Sequence, residues 1–138
     1  MIIDINAKNL GRKVPDDKYL GTHLICEYFG CDGKILNDIK TVSASLVSAA
    51  QKCNATILRK FFHKFGGQGI SGVIVISESH ISVHTWPERN YAAVDFFTCS
   101  SACNADIAAA YLSKVFKSKK HSVLKIKRGK TPKVVRIR

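Results

Sequence analysis

The sequence lacks any long apolar run. Its longest uninterrupted aliphatic stretch is Val73 to Ile76, far short of the roughly 20 residues a membrane-spanning helix needs. Met1 to Leu10 carries Asp4 and Lys8 and holds no apolar h-region, so it does not read as a secretory signal. The five cysteines, Cys26, Cys31, Cys53, Cys99 and Cys103, are an odd set for a closed disulfide framework. Without a secretory signal the simpler reading is reduced thiols in a cytoplasmic protein, with room for a reactive one. Linkers rich in Pro, Gly or Ser and internal repeats are also missing. At 138 residues, 46% hydrophobic and 23% charged, the chain is expected to form one globular domain, and disorder is excluded by composition.

Acidic residues are absent from 114–138, which hold eleven Lys/Arg, whereas residues 1–113 hold eleven Lys/Arg against ten Asp/Glu. The net charge of +12 therefore belongs to the carboxyl-terminal segment. Basic tails bind nucleic acid or anionic surfaces electrostatically. This one has no interleaved aromatics to stack on bases, and Lys125 and Lys127 alternate with Val123, Leu124 and Ile126. That pattern predicts a charged edge strand ahead of nucleic-acid recognition.

Residues 1–18 read as a polar arm and 22–31 as a strand. Asp32 is placed to cap a helix whose apolar positions Ile35, Ile39, Val42, Leu46, Ala49 and Cys53 recur at steps of four and three, one helical face. Asn54 ends it. A mixed strand over 55–65 and a Gly66-Gly67-Gln68-Gly69 loop follow, then β-rich runs at 72–78, 81–85 and 91–99, with a turn at Pro87 to Asn90. Asn104 is placed to cap a second helix with Ile107, Tyr111, Leu112 and Val115 on its apolar side, and a last strand covers 121–127. The order predicts an α+β fold: a two-layer α/β sandwich, its sheet mainly antiparallel, with helices on one face.

Polar chemistry concentrates in Ser77-Glu78-Ser79-His80-Ile81-Ser82-Val83-His84-Thr85-Trp86-Pro87-Glu88. Alternation puts His80, Ser82 and His84 on one strand face, and Asp95, Phe97 and Cys99 share a face in the next. Ser79 and His84 are five residues apart, so they meet only if the chain turns or bulges near 79–80. Taken singly, each has a plain structural reading: His84 as a hydrogen-bonded strand histidine, Cys99 as an inert buried thiol. A Ser79–His84–Asp95 hydrolase lacks the Gly-x-Ser-x-Gly elbow. The Cys26-x4-Cys31 and Cys99-x3-Cys103 spacings lack the paired pattern of zinc ribbons, so no metal is expected. The 66–69 loop matches neither phosphate-binding fingerprint.

The ordered string Glu78-Ser79-His80, His84-Thr85-Trp86-Pro87-Glu88, Tyr91-Ala92-Ala93-Val94-Asp95 and Phe97-Thr98-Cys99 resembles the prokaryotic S-adenosylmethionine decarboxylase proenzymes. Gly21-Thr22-His23-Leu24, Cys31-Asp32 and Phe62-His63-Lys64-Phe65 extend the likeness over roughly 20–115. The arm, the Gly66-Gly67-Gln68 loop and the basic carboxyl terminus depart from it.

The resemblance implies a zymogen that cuts its own backbone between Glu78 and Ser79, giving a β chain of 1–78 and an α chain of 79–138 whose 117–138 segment is the basic strand and tail. It implies that Ser79 becomes a pyruvoyl cofactor, which forms a Schiff base with the substrate amine and takes up the electron pair released with carbon dioxide. Ser71 and His84 fall on the family's processing residues; histidine as a residue type titrates near neutral pH, which suits proton transfer. Cys99 occupies the position of the proton donor. Phe65 resembles the aromatic that stacks on adenine, though plain core packing serves it equally well; Trp86 lies close enough to help, and Glu88 corresponds to an acid that holds ribose hydroxyls. The implied lyase decarboxylates S-adenosylmethionine for spermidine and polyamine biosynthesis, as a homodimer of cleaved protomers with sites at the interface. A pyruvoyl-dependent arginine or ornithine decarboxylase shares the processing residues and is the alternative; a non-catalytic basic nucleic-acid-binding module is the distant one.

Overall fold

The computed structural model describes residues 2–5 and 19–129. Among them a seven-stranded sheet runs in the order β1-β7-β2-β6-β5-β4-β3. The strands are β1 (Ile2–Ile5), β2 (Gly21–Phe29), β3 (Ile57–Lys64), β4 (Ile70–Ile76), β5 (Ser79–Trp86), β6 (Tyr91–Thr98) and β7 (Lys120–Arg128). Every neighbouring pair is antiparallel except β1 with β7. Helices α1 (Gly33–Leu36), α2 (Ile39–Lys52) and α3 (Ala105–Val115) complete the described fold.

Alternation decides which face the helices cover. Leu24, Cys26, Tyr28, Ile70, Ile74, Ile76, Ile81, Val83, Ala92, Val94 and Phe96 are buried on one side of the sheet, packed with Val42, Leu46, Ala49 and Ala50 of α2 and Ala105, Ala108, Ala109 and Leu112 of α3. Each fully buried Leu or Ile contributes about 1.5–3 kcal/mol. Two buried hydroxyls tie the layers together. Tyr28 donates to the Ala109 carbonyl (2.8 Å); Thr85 donates to the Leu36 carbonyl (2.8 Å) and accepts from the Ile70 N–H (2.9 Å). The α+β sandwich expected from the element order is the fold observed.

Three local expectations differ from the structure. The single helix from 33 to 53 is two, because Asn37 ends α1 and Asp38 starts α2, accepting from the Lys40 N–H (3.2 Å) and the Thr41 hydroxyl (2.6 Å). The apolar steps run through the break because Ile35 and Ile39 both still pack on the core. On α3, Ile107 is exposed and the buried stripe is Ala105, Ala108, Ala109 and Leu112; the three- and four-residue steps that contain Leu112 pass through the alanines instead. Strand β7 is not the sheet edge, because Ile2–Ile5, within the stretch read as a polar arm, pairs with Val123–Ile126. Three β-branched residues in four suit a strand. Residues 6–18 and 130–138 lie outside the described residues.

Candidate functional site

Among the described residues the far face of the sheet carries no helix, and the polar residues that stood out in the sequence lie on it or at its ends, except Thr85, which is buried on the helix side. Ser77 and Glu78 form the two-residue turn between β4 and β5. The turn is moored to the segment before β3: the Ser77 N–H donates to the Thr56 carbonyl (2.9 Å), and a Glu78 carboxylate oxygen accepts from the Thr56 N–H (3.2 Å). Slight desolvation opposes ionisation of Glu78, but the backbone N–H groups of Thr56 and Glu78 and the Ser77 and Thr56 side chains hold its carboxyl below the usual range.

Two features single out the peptide between Glu78 and Ser79. Ser79 has φ +145°, a region open to glycine and costly by about 1–3 kcal/mol for other residues. The Glu78 carbonyl accepts a 2.8 Å hydrogen bond from the Cys99 N–H. A strained junction whose carbonyl oxygen already meets a donor is suited to internal nucleophilic attack, in which that oxygen gains charge. Cys99 itself is a free, exposed cysteine just beyond β6.

Ser71 and His84 are cross-strand partners in β4 and β5, with Ser71 Oγ 2.8 Å from His84 Nδ1. They line a mainly apolar cavity of about 210 Å³ with Phe61, His63, Gly72 and Val73. At Gly72 any side chain is excluded by the Phe62 ring, which lies 2.2 Å from where a Cβ would stand. The Trp86 ring lies 6.4 Å from that of His84, Phe65 packs edge-on against His63 at 4.9 Å, and Glu88 sits in the 3-10 turn Pro87–Arg89. Phe65 and Trp86 are exposed, so core packing does not account for them.

The two groups do not meet within one protomer. From Ser79 to His84, β5 pairs without a bulge with β4 on one side and β6 on the other, and the β6 pairing continues to Trp86. At about 3.4 Å per residue, Ser79 and His84 lie roughly 17 Å apart along the strand. The turn or bulge they require is absent: the Glu78–Ser79 peptide and Cys99 stand at one end of β5, and Ser71, His84, Phe65, Trp86 and Glu88 lie toward the other. Asp95 is not a third member of a serine triad. It accepts from Ser82 (3.4 Å) and pairs with His23 (2.9 Å). The hydrogen bond from His23 holds the Asp95 carboxyl below its ordinary range, against partial burial.

Sequence reasoning missed His23 as the partner of Asp95 and the Cys99 N–H as the donor to Glu78. The register of β2 and β6, with His23 opposite Phe97, is the tertiary fact that reveals the first; the second is a backbone group and leaves no residue signature. Among the described residues no three or more His, Cys, Asp or Glu side chains are grouped to hold a metal ion, and no helix is long and apolar enough to cross a membrane.

A two-layer α+β domain with a strained Glu-Ser hairpin junction is the class of protein that fold and site define. The family model described as S-adenosylmethionine decarboxylase matches residues 22–129. An S-adenosylmethionine decarboxylase proenzyme of Thermodesulfovibrio yellowstonii is 50% identical over 110 residues, covering 80% of this chain and 82% of that one. One from Pelotomaculum thermopropionicum is 50% identical over 115 residues, covering 83% and 91%. The crystal structure of the adenosylmethionine decarboxylase from Aquifex aeolicus VF5 superposes with a TM-score of 0.77 at 28% identity, covering 87% of this chain and 99% of that one. This chain belongs to the S-adenosylmethionine decarboxylase family.

Proposed function

We propose that the protein is a self-processing, pyruvoyl-dependent S-adenosylmethionine decarboxylase that works as a homodimer, each site assembled from two protomers. The observation that carries the reading is the Glu78–Ser79 junction, with a positive φ on Ser79 and the Glu78 carbonyl held by the Cys99 N–H.

Processing is chemistry of the chain itself. Ser79 Oγ loses its proton and attacks the Glu78 carbonyl carbon, and the Cys99 N–H faces the oxygen that becomes negative. Breaking the C–N bond frees the Ser79 amine and leaves an ester. Removal of the Ser79 α-proton then breaks the ester C–O bond, so Glu78 leaves as a carboxylate. The resulting dehydroalanine tautomerises to an imine, and water converts it to a ketone and ammonia. Chain 1–78 ends at Glu78, and chain 79–138 begins with the ketone.

The residues present suit a pyruvoyl group at that position: a hydroxyl amino acid stands at the strained junction, and an exposed thiol follows β6 beside it. When formed, the group supplies the electron sink for loss of carbon dioxide. Cys99 delivers a proton to the carbon that lost its carboxylate. His84, oriented by Ser71, moves protons during processing. Phe65 and Trp86 offer aromatic faces to a flat purine and a sulfonium cation, and Glu88 offers acceptors to ribose hydroxyls.

The roughly 17 Å between Ser79 and His84 supports a composite site, in which a second copy brings its Ser71–His84 end to the first copy's Ser79–Cys99 end. The helix-free face has the surface for this, since Phe61 (66%), Val75 (41%) and Trp86 (39%) are exposed, and contiguous apolar patches on a sheet mark interaction sites. The test is release of labelled carbon dioxide from S-adenosylmethionine, arginine and ornithine in parallel. Release from S-adenosylmethionine alone supports the proposal, and release from one of the others alone overturns the substrate assignment.

A further inference from the structure

Two buried thiols that the decarboxylation chemistry does not use lie in direct contact. Cys53 caps the end of α2 and Cys103 lies in the loop between β6 and α3, with their sulfurs 2.9 Å apart. Both are free and buried, at 1% and 9% exposure. In the neutral pair Cys103 donates to the Cys53 sulfur while the Cys53 thiol donates to the Ala50 carbonyl (3.3 Å). A disulfide needs about 2.05 Å between sulfurs, so the two must close by only about 0.9 Å.

The surroundings make the thiols unequal. Cys103 forms one wall of a cavity of about 270 Å³ at the surface, whose other walls include Thr22, Thr98, Ser100, Asn104, Lys125 and Lys127. It also stands immediately before Asn104, the residue that caps α3, where the positive end of the helix favours a thiolate. The Cys103 thiol is brought below the ordinary thiol range, first by the hydrogen bond available from Cys53, against burial, and then by one from Thr98. Cys53 is pushed the other way, by its contact with Cys103 and by burial. One thiol is thus reachable and ionisable, and the other is buried directly behind it.

We infer that Cys53 and Cys103 form a redox-active pair that hydrogen peroxide oxidises to a disulfide linking the end of α2 to the loop that follows Cys99. The Cys103 thiolate attacks one peroxide oxygen and the O–O bond breaks. Hydroxide leaves and takes up a proton as water, and Cys103 becomes a sulfenic acid. The Cys53 sulfur then attacks the Cys103 sulfur, the S–O bond breaks, and the departing hydroxide takes the Cys53 proton as a second water. Two thiols lose two electrons, and one peroxide becomes two waters. A dithiol reductant reverses the product to two thiols.

The bond has a consequence that rests on the proposed self-cleavage. Cys53 belongs to chain 1–78 and Cys103 to chain 79–138, so the disulfide would rejoin covalently the two chains that processing separates. It would also anchor the segment that begins at Cys99, whose N–H holds the Glu78 carbonyl.

The experiment is intact mass spectrometry of the full-length protein under denaturing conditions, after hydrogen peroxide and N-ethylmaleimide, with and without dithiothreitol. The expected result is one species with the summed mass of both chains less two hydrogens, plus the N-ethylmaleimide carried by the remaining free thiols, which dithiothreitol splits in two. An unbroken polypeptide that loses two hydrogens on oxidation and regains them on reduction supports the disulfide and contradicts self-cleavage. Two chains that never join, or an unbroken chain with no loss of two hydrogens, overturns the disulfide. The link should vanish in Cys53→Ser and Cys103→Ser and persist in Cys99→Ser. Should a variant fail to fold, peptide mapping of the oxidised wild type decides: a cross-link between any other two cysteines overturns the assignment.

Discussion

The N–H of Cys99 donates to the Glu78 carbonyl at 2.8 Å, so the strand end that presents the thiol also grips the peptide that processing breaks. One residue thereby serves two steps through two different groups, and substitution of its side chain separates them. Cys99→Ala should still process, because the backbone donor remains. Turnover of the processed form should fall by about 10²–10⁴, the usual contribution of a positioned proton donor. Gel analysis of chain separation beside steady-state kinetics checks both halves, and unchanged kcat would remove the thiol from the reaction.

Ser79→Ala removes the attacking hydroxyl and leaves the fold, so the variant should persist as a single 15.2 kDa chain without decarboxylase activity. Normal two-chain processing of this variant would contradict the placement of the junction.

The separation of Ser79 from His84 gives a complementation test. His84→Ala alone should slow processing at least tenfold. Co-expressed with Ser79→Ala, the His84→Ala chain should be cleaved again, because in a mixed dimer its intact Ser79 meets the partner chain's histidine. Absence of rescue would place both residues in a single-protomer site.

The pairing of His23 with Asp95 predicts a pH dependence. Asp95 is held below the ordinary carboxylate range in the folded state. Its contribution to stability is therefore complete above the unfolded value of about 3.9 and is lost as pH falls through the lower folded value. Urea midpoints measured from pH 7 to pH 2 should fall in the wild type, and Asp95→Asn should flatten that acid limb. An identical limb in the variant would assign the acid loss to other carboxylates.

On the helix side, Leu46 is fully buried in the single core. Leu46→Ala should lower unfolding free energy by about 2–5 kcal/mol, read from chemical denaturation of the Ser79→Ala precursor so that processing does not complicate the transition. A loss below about 1 kcal/mol would mean that α2 does not pack as described.

The layers were legible because their signal is periodic. Strand alternation through β5 and β6 and the three- and four-residue steps of α2 report which side faces the core. What escaped the sequence was local or long-range in a way periodicity does not carry. The Asn37–Asp38 break keeps Ile35 and Ile39 on the core, so the apolar pattern runs across it. Strand β1 is too short to show a period, and its partner lies more than a hundred residues away. At the site, His84, Ser71 and Cys99 stood out through the likeness of a long ordered string to a known family. The five-residue spacing of Ser79 and His84 already implied that they meet only across a turn or bulge, and the unbroken pairing of β5 closes that option. The Cys53–Cys103 contact joins a helix end to a distant loop and leaves no mark in the spacing of residues.

Intact mass spectrometry of freshly purified, active protein, denatured under reducing conditions, tests the central claim most directly. The account predicts two chains that divide between Glu78 and Ser79, the second blocked at its amino end by a ketone. An active preparation consisting of one unbroken polypeptide would contradict it.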